Sequence, residues 1–310
     1  MKVYREAYQG VKPHVPLGKR IAYAPLGALL HLFSLLPFWL LYCLGDFLGF
    51  IAFHVVRYRR RIVRQNIADS FPNLSEKEVE KVAKGFYRQL GSYFFETIKM
   101  RTMSERQMRR HMSFSQPEII DKYLNEGRDI VIYTSHFGNW EWITSISLWC
   151  KTADKAMFSH VYRPLKNVWF DRWWLTLRQR YNISIPMRNT LRQLLTWRRD
   201  GFNWITGFLS DQKPSHQGKS IEVDFLGRPT PFIYGTEELA RKLNAVVLIF
   251  DTEYLRRGYY HSTIRVLTDD IASLPEGEVT RRYAENLSEQ IRRSPATYLW
   301  SHNRWRLPRK

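Results

Sequence analysis

Residues 21–45 contain no Asp, Glu, Lys or Arg. Such a run limits what the N-terminal part can become, because about 20 consecutive apolar residues suffice to cross a bilayer as a helix. Leu29, Leu30, Leu32, Phe33, Leu35, Leu36, Phe38, Trp39, Leu40 and Leu41 all fall inside it, and after Asp46 the stretch 47–56 is apolar again. Pro37 and the Gly45-Asp46 pair divide the run into pieces of roughly 21–36 and 38–56. Both flanks are basic, with Lys12, Lys19 and Arg20 before it and Arg57, Arg59, Arg60, Arg61 and Arg64 after it. Basic flanks prefer the cytoplasmic side. Two of them favour a re-entrant or interface-lying helical hairpin over a simple span, and the heavier charge after the run puts the rest of the chain in the cytoplasm. The run starts late and lacks a small-residue cleavage site, unlike a signal peptide. The competing reading is an ordinary buried core hairpin.

The remaining sequence is that of a folded protein, with 44% hydrophobic residues among 310. Its 48 basic and 29 acidic residues leave a net charge of +19, and 11 residues are tryptophan. Charge and aromatics together suit an anionic membrane surface, a nucleic acid or an acidic protein partner. The two cysteines, Cys43 and Cys150, stand in apolar surroundings and form no C-x-x-C or Cys/His pattern. A disulfide framework and a zinc site are therefore not expected. Phosphate-binding and esterase motifs of the P-loop, G-x-G-x-x-G and G-x-S-x-G kinds are missing too. No cofactor or metal is expected.

Ser75-Glu76-Lys77-Glu78 is a capping-box pattern. It opens a helix with Val79, Val82, Phe86, Leu90, Phe94 and Ile98 at spacings of three and four, the signature of a core-facing stripe. From residue 129 onward, β-rich runs at 129–134, 156–161, 203–209, 220–225, 245–252 and 259–266 alternate with helical stretches at 141–149, 166–180, 189–199, 236–243 and 277–293. That alternation predicts an α/β fold with a mixed central sheet flanked by helices. The simplest partition is a membrane-associating segment over 1–66 and one α/β domain over 67–310.

The densest chemistry lies in His136-Phe137-Gly138-Asn139-Trp140-Glu141-Trp142, directly after the first β-rich run. A histidine takes up a proton near neutral pH, and a neighbouring carboxylate can fix its tautomer and stabilise its charged form. Positions five apart do not share a face of one helix. The pairing of His136 with Glu141 therefore requires His136 in a turn, which Gly138 and Asn139 suit, and Glu141 in the first turn of a following helix. The alternative is a structural histidine and an acidic residue favouring the helix dipole.

Other polar groups sit at expected strand ends and turns. Arg163, in Tyr162-Arg163-Pro164, could present a bidentate cation to a phosphate or carboxylate, or be a plain surface arginine. Asp211 and Gln212 close the run 203–209, where α/β sites gather, or Asp211 simply makes a turn. Arg228 is expected in an exposed turn within Phe225-Leu226-Gly227-Arg228-Pro229. The tryptophan-rich basic stretch 165–180 suits either a membrane interface or partial core burial.

Taken in order, these segments resemble the late acyltransferases of bacterial lipid A biosynthesis, the lauroyl/myristoyl transferase family. The resemblance runs from the apolar segment and Arg59-Arg60-Arg61-Ile62-Val63-Arg64-Gln65-Asn66-Ile67 through Phe71-Pro72-Asn73-Leu74-Ser75, the His136–Glu141 motif, Tyr162-Arg163-Pro164-Leu165-Lys166-Asn167 and Asp211-Gln212. It continues in Val223-Asp224-Phe225-Leu226-Gly227-Arg228-Pro229 and closes with Tyr298-Leu299-Trp300-Ser301-His302-Asn303-Arg304-Trp305. The loop Lys213-Pro214-Ser215-His216-Gln217-Gly218 departs from the family pattern, so acceptor identity transfers least.

The resemblance implies a lysophospholipid-acyltransferase-like fold at the inner membrane, with the catalytic domain on the cytoplasmic side. It implies acyl transfer from acyl carrier protein to a hydroxyl of a lipid A precursor. His136 would act as general base, Glu141 would orient it, and Arg163, Asp211, Gln212 and Arg228 would contact substrate. The tetrahedral oxyanion would draw on Arg163 or on backbone N–H groups near Gly138. Two alternatives stay open: the same chemistry on a lysophospholipid, aminoacyl lipid or other glycolipid, and a non-catalytic basic scaffold on a membrane. A nucleic-acid partner is not expected.

Overall fold

The computed structural model describes residues 11–215 and 218–305. Seven strands form one sheet: β1 (Met112–Ser115), β2 (Ile130–Thr134), β3 (Met157–Tyr162), β4 (Ile183–Pro186), β5 (Trp204–Leu209), β8 (Val246–Arg256) and β9 (Tyr259–Thr268). Their order is β1-β9-β8-β2-β5-β3-β4. β8, β2, β5, β3 and β4 run parallel, β9 returns antiparallel to β8, and β1 pairs parallel to β9. The sheet is mixed, as the alternation of elements predicts. Ile130, Val131, Ile132 and Tyr133 of β2 are all buried, because helices cover both faces of a central parallel strand.

The strand read at 220–225 exists but leaves the main sheet. β6 (Ser220–Phe225) pairs with β7 (Arg228–Ile233) as a separate antiparallel ribbon about a turn at Leu226-Gly227. Pro229 and Pro231 disguise β7 in the sequence, since proline is tolerated only on strand edges. β1 and β4, four residues each, are too short to carry a period of their own.

Eleven α-helices are found among the described residues: α1 (Leu17–Ala22), α2 (Ala24–Leu35), α3 (Phe38–Phe50), α4 (Arg60–Ser70), α5 (Glu76–Lys99), α6 (Glu105–His111), α7 (Glu118–Asn125), α8 (Val168–Arg178), α9 (Thr190–Arg199), α10 (Gly235–Leu243) and α11 (Glu278–Arg293). A π-helical turn, Ile51–Val55, extends α3. The capping box at α5 is present, with the Ser75 N–H donating to Glu78 over 2.8 Å.

Pro37 breaks the apolar run between α2 and α3 as expected, but the Gly45-Asp46 pair does not, and α3 runs through it. The reason is packing. A Cβ on Gly91 of α5 would overlap the Gly45 carbonyl, and one on Gly49 would meet the Tyr87 carbonyl at 2.6 Å, so the two backbones lie against each other. Asp46 is held by Arg88 at 3.0 Å and by Arg257, on the β8–β9 turn, at 2.7 Å. The opposite side of the hairpin leaves Leu32, Leu35, Trp39, Phe47, Phe50 and Val55 exposed. The segment Phe38–Val55 is long and apolar enough to cross a membrane.

Candidate active site

β2 and β5 are neighbours in register, with Thr134 opposite Leu209. Carried two residues further, that register brings His136 level with Asp211 at the C-terminal edge of the sheet, where α/β folds gather their sites. The Ser210 N–H donates to the Thr134 carbonyl and holds the two ends together. His136 Nδ1 lies 2.7 Å from Asp211 Oδ1, and the His136 backbone N–H donates to Oδ2 over 3.1 Å. One carboxylate thus fixes both the ring and its backbone. Asp211 is buried. Burial alone would raise its carboxyl, but the His136 ring and the hydrogen bonds from His136 outweigh this and hold it below the usual carboxylate range.

The other ring nitrogen, Nε2, faces the Gln212 side-chain amide at 3.2 Å. The Trp140 ring stands edge-on to the imidazole with centroids 5.1 Å apart, and Tyr93 of α5 stacks on Trp140 at 4.0 Å. His136 is therefore gripped on three sides.

The expected partnership of His136 with Glu141 is corrected by this geometry: the carboxylate on the ring is Asp211. Residues 141–149 do not form the expected α-helix. A 3₁₀ helix, Trp142–Leu148, follows Glu141, and the Thr144 hydroxyl bonds back to the Glu141 carbonyl, a local competitor of the α-helical ladder. The Glu141 carboxylate instead accepts from Arg178 Nε at 2.7 Å, Arg178 Nη2 at 2.6 Å and Trp174 Nε1 at 3.0 Å, all from α8. Burial pushes Glu141 up, yet Arg178 more than offsets that and keeps it below its ordinary value. Trp174 and Arg178 are four apart on α8 and so share a face. That spacing was the available sign that the stretch 165–180 looks inward. Trp173 is buried, and Trp169 stacks on Tyr23 at 5.0 Å.

Arg163 follows β3 directly and is exposed at the same edge of the sheet. The Gly138 N–H is occupied by the Thr297 carbonyl at 3.1 Å, which removes it as an oxyanion donor. Arg228 begins β7 and is engaged elsewhere: it donates to Ser70 at 2.7 Å and Asp69 at 3.2 Å, and lies 3.6 Å over the Trp305 ring. It pins the β6–β7 ribbon to α4. In the loop after Gln212, the Lys213 N–H donates to His302 Nε2 at 3.0 Å, while His216 and Gln217 lie outside the described residues. Burial first, then nearby cations, push His302 down to about 4, so it is neutral here.

The C-terminal segment is a site element that the sequence pattern did not assign. Phe137 bridges to Tyr298, and the Leu299 N–H donates to the His136 carbonyl at 3.2 Å. Among the described residues, no group of three or more His, Cys, Asp or Glu side chains is arranged to hold a metal ion.

The chain is similar to known proteins over most of its length. The family model described as bacterial lipid A biosynthesis acyltransferase matches residues 16–307. The chain is 24% identical over 273 residues to the lipid A biosynthesis palmitoleoyltransferase of Escherichia coli K12, covering 87% of this chain and 86% of that protein. It is 25% identical over 274 residues to a lipid A biosynthesis acyltransferase of Haemophilus influenzae, covering 87% and 82%. It is 24% identical over 277 residues to the lipid A biosynthesis lauroyltransferase of Escherichia coli K12, covering 87% of each. A family match over nearly the whole chain, with a histidine–carboxylate pair at the sheet edge, makes this protein an acyltransferase of the bacterial lipid A biosynthesis family.

Proposed function

We propose that the protein moves a fatty acyl chain from acyl carrier protein to a hydroxyl of a lipid A precursor, with His136 as general base and Asp211 as its supporting carboxylate. The observation that carries this reading is the 2.7 Å contact between His136 Nδ1 and the buried Asp211. With the Nδ1–H donated to Asp211, Nε2 carries the free lone pair. It takes the proton of the acceptor hydroxyl as the oxygen attacks the thioester carbonyl. The tetrahedral oxyanion collapses, the C–S bond breaks, and the imidazolium returns its proton to the departing thiolate. A well-placed base of this kind contributes about 10²–10⁴-fold. Arg163 is the oxyanion donor or substrate phosphate contact in this scheme, and the Glu141–Arg178 pair fixes the wall behind the 3₁₀ turn.

The fold belongs with the lysophospholipid-acyltransferase-like architectures on this reading, supported by a histidine after the central parallel strand and an apolar hairpin at the N-terminus. The exposed apolar side of that hairpin supports a seat in the inner membrane, and the arginines at 57–64 support a cytoplasmic catalytic body. The net charge of +19 favours an acidic carrier protein and a phosphorylated, anionic acceptor surface. The departing loop at 213–218 favours one alternative, the same chemistry on a different lipid hydroxyl.

The test uses purified protein in detergent with acyl carrier protein thioesters and a tetra-acyl lipid A precursor, beside His136→Ala. A mass gain of one acyl chain, lost in a folded His136→Ala, is the expected result. Normal turnover by that variant rejects His136 as base; no gain with this acceptor but gain with another lipid moves the acceptor.

A further inference from the structure

The turn that carries His136 rests on a buried acid from a different part of the chain. Glu96 lies in the last turn of α5 and is completely buried. Its Oε2 accepts from Asn139 Nδ2 at 2.8 Å and from the Tyr260 hydroxyl at 3.0 Å. Gln89, two turns earlier on α5, donates to the same Tyr260 oxygen at 2.6 Å. The Glu96 backbone carbonyl accepts from Trp142 Nε1 at 3.3 Å, while Asn139 Oδ1 accepts from the Trp142 backbone N–H at 3.2 Å. Asn139 and Trp142 bracket the turn between the base and the 3₁₀ helix, and Glu96 holds both.

Gly138 completes the contact. Its φ is +63°, a conformation that favours glycine, and a Cβ there would sit 3.0 Å from the Tyr260 ring. The turn is therefore laid directly on the Glu96–Tyr260 platform. Burial raises the Glu96 carboxyl to about 7. A buried acid that is costly to ionise needs a reason to stand where an apolar residue would pack more cheaply. Its reach to Asn139 supplies one.

We infer that Glu96 is a positioning residue for acyl transfer: through Asn139 it sets the turn that aims His136 at the reacting carbonyl. The inference rests on His136 being the base. Glu96 does not touch substrate. Gln at position 96 keeps the carbonyl oxygen that accepts from Asn139 and Tyr260 and resembles the protonated acid, whereas Ala removes the acceptor. A misplacement of about 1 Å in a reacting group costs as much as about 10²-fold in rate.

The experiment compares Glu96→Gln, Glu96→Ala, Asn139→Ala and the Glu96→Ala/Asn139→Ala double variant with the unaltered protein in detergent, after circular dichroism has verified folding. Glu96→Ala and Asn139→Ala are expected to lose kcat by about 10²-fold with KM for the thioester unchanged. Glu96→Gln restores most of that loss, and the double variant is no slower than Glu96→Ala alone. Wild-type kcat in folded Glu96→Ala, losses that multiply in the double variant, or equal damage to kcat and KM would overturn the inference. Where Glu96→Ala does not fold, Asn139→Ala decides alone: a selective kcat loss supports the role and an unchanged kcat ends it. His136→Ala runs alongside, and its retained turnover would reject the base assignment whatever the Glu96 variants do.

Discussion

The Gln212 amide nitrogen lies 3.2 Å from His136 Nε2, the ring nitrogen on the opposite edge from Asp211. In the proposed mechanism, that is the position an acceptor hydroxyl has to reach. If His136 is the base, the amide covers its lone pair until an acceptor displaces it. Gln212→Ala should uncover the base to water. The expected outcome is more free fatty acid released per acylated lipid, read by counting both products from a labelled thioester. An unchanged ratio would show that the amide shields nothing.

Asp211 and Glu141 are both buried carboxylates beside the site, and the geometry separates their roles. Asp211→Asn loses the carboxylate that fixes the Nδ1–H tautomer. Its kcat should fall by up to about 10⁴-fold with folding intact, the loss that follows when the orienting acid of a catalytic histidine is replaced by its amide. A loss under tenfold would remove Asp211 from the mechanism.

Glu141→Ala should act first on stability. It strands the Arg178 guanidinium, which accounts for two of the hydrogen bonds to that carboxylate. Breaking a buried pair from one side costs about 3–5 kcal/mol. Urea unfolding in detergent checks this. The Glu141→Ala/Arg178→Met double variant should recover part of the loss, and no recovery would show that the pair is not the source.

Two half-buried histidines make the fold sensitive to acid. Burial pushes His160 down to about 3 and His302 to about 4, against 6.5 for an unperturbed ring. Between those values and 6.5 the unfolded chain binds protons that the folded chain refuses, so stability rises with pH there. Their contribution is complete above about 6.5 and drains away as pH falls towards 4. Asp211, also depressed, loses its share only lower, below the ordinary carboxylate range. Midpoints of urea unfolding taken from pH 7 to pH 4 should fall steadily in the unaltered protein and more gently in His302→Gln. Parallel curves would contradict this.

The sequence showed the parallel strands because their runs are uninterrupted: β2, β5 and β8 all fall close to where the β-rich stretches lie. It showed Pro37 as a break because proline cannot continue a helix. It could not show that Gly45 serves a neighbouring backbone instead of a bend, since that depends on Gly91, 46 positions away. His136 was legible as a residue at a strand end, and its partner was not. H-x4-E reads along the chain, whereas the pairing with Asp211 is made across it, by the adjacency of β2 and β5 in the sheet. Arg178 was hidden in the same way, and only its spacing from Trp174 hinted that it turns inward.

The contact of Gly45 with Gly91 also changes what the apolar hairpin is. Lys99, at the end of α5, donates to the Ser34 and Leu36 carbonyls at 3.0 and 2.8 Å and so closes the C-terminus of α2. Arg257 reaches from the β8–β9 turn to Asp46 and the Tyr42 carbonyl. Cutting the chain after residue 56 to obtain a soluble enzyme would bare the glycine face of α5, take both carbonyl acceptors from Lys99 and take the Asp46 carboxylate from Arg257. The hairpin is a wall of the enzyme, and a shortened version would lack a side.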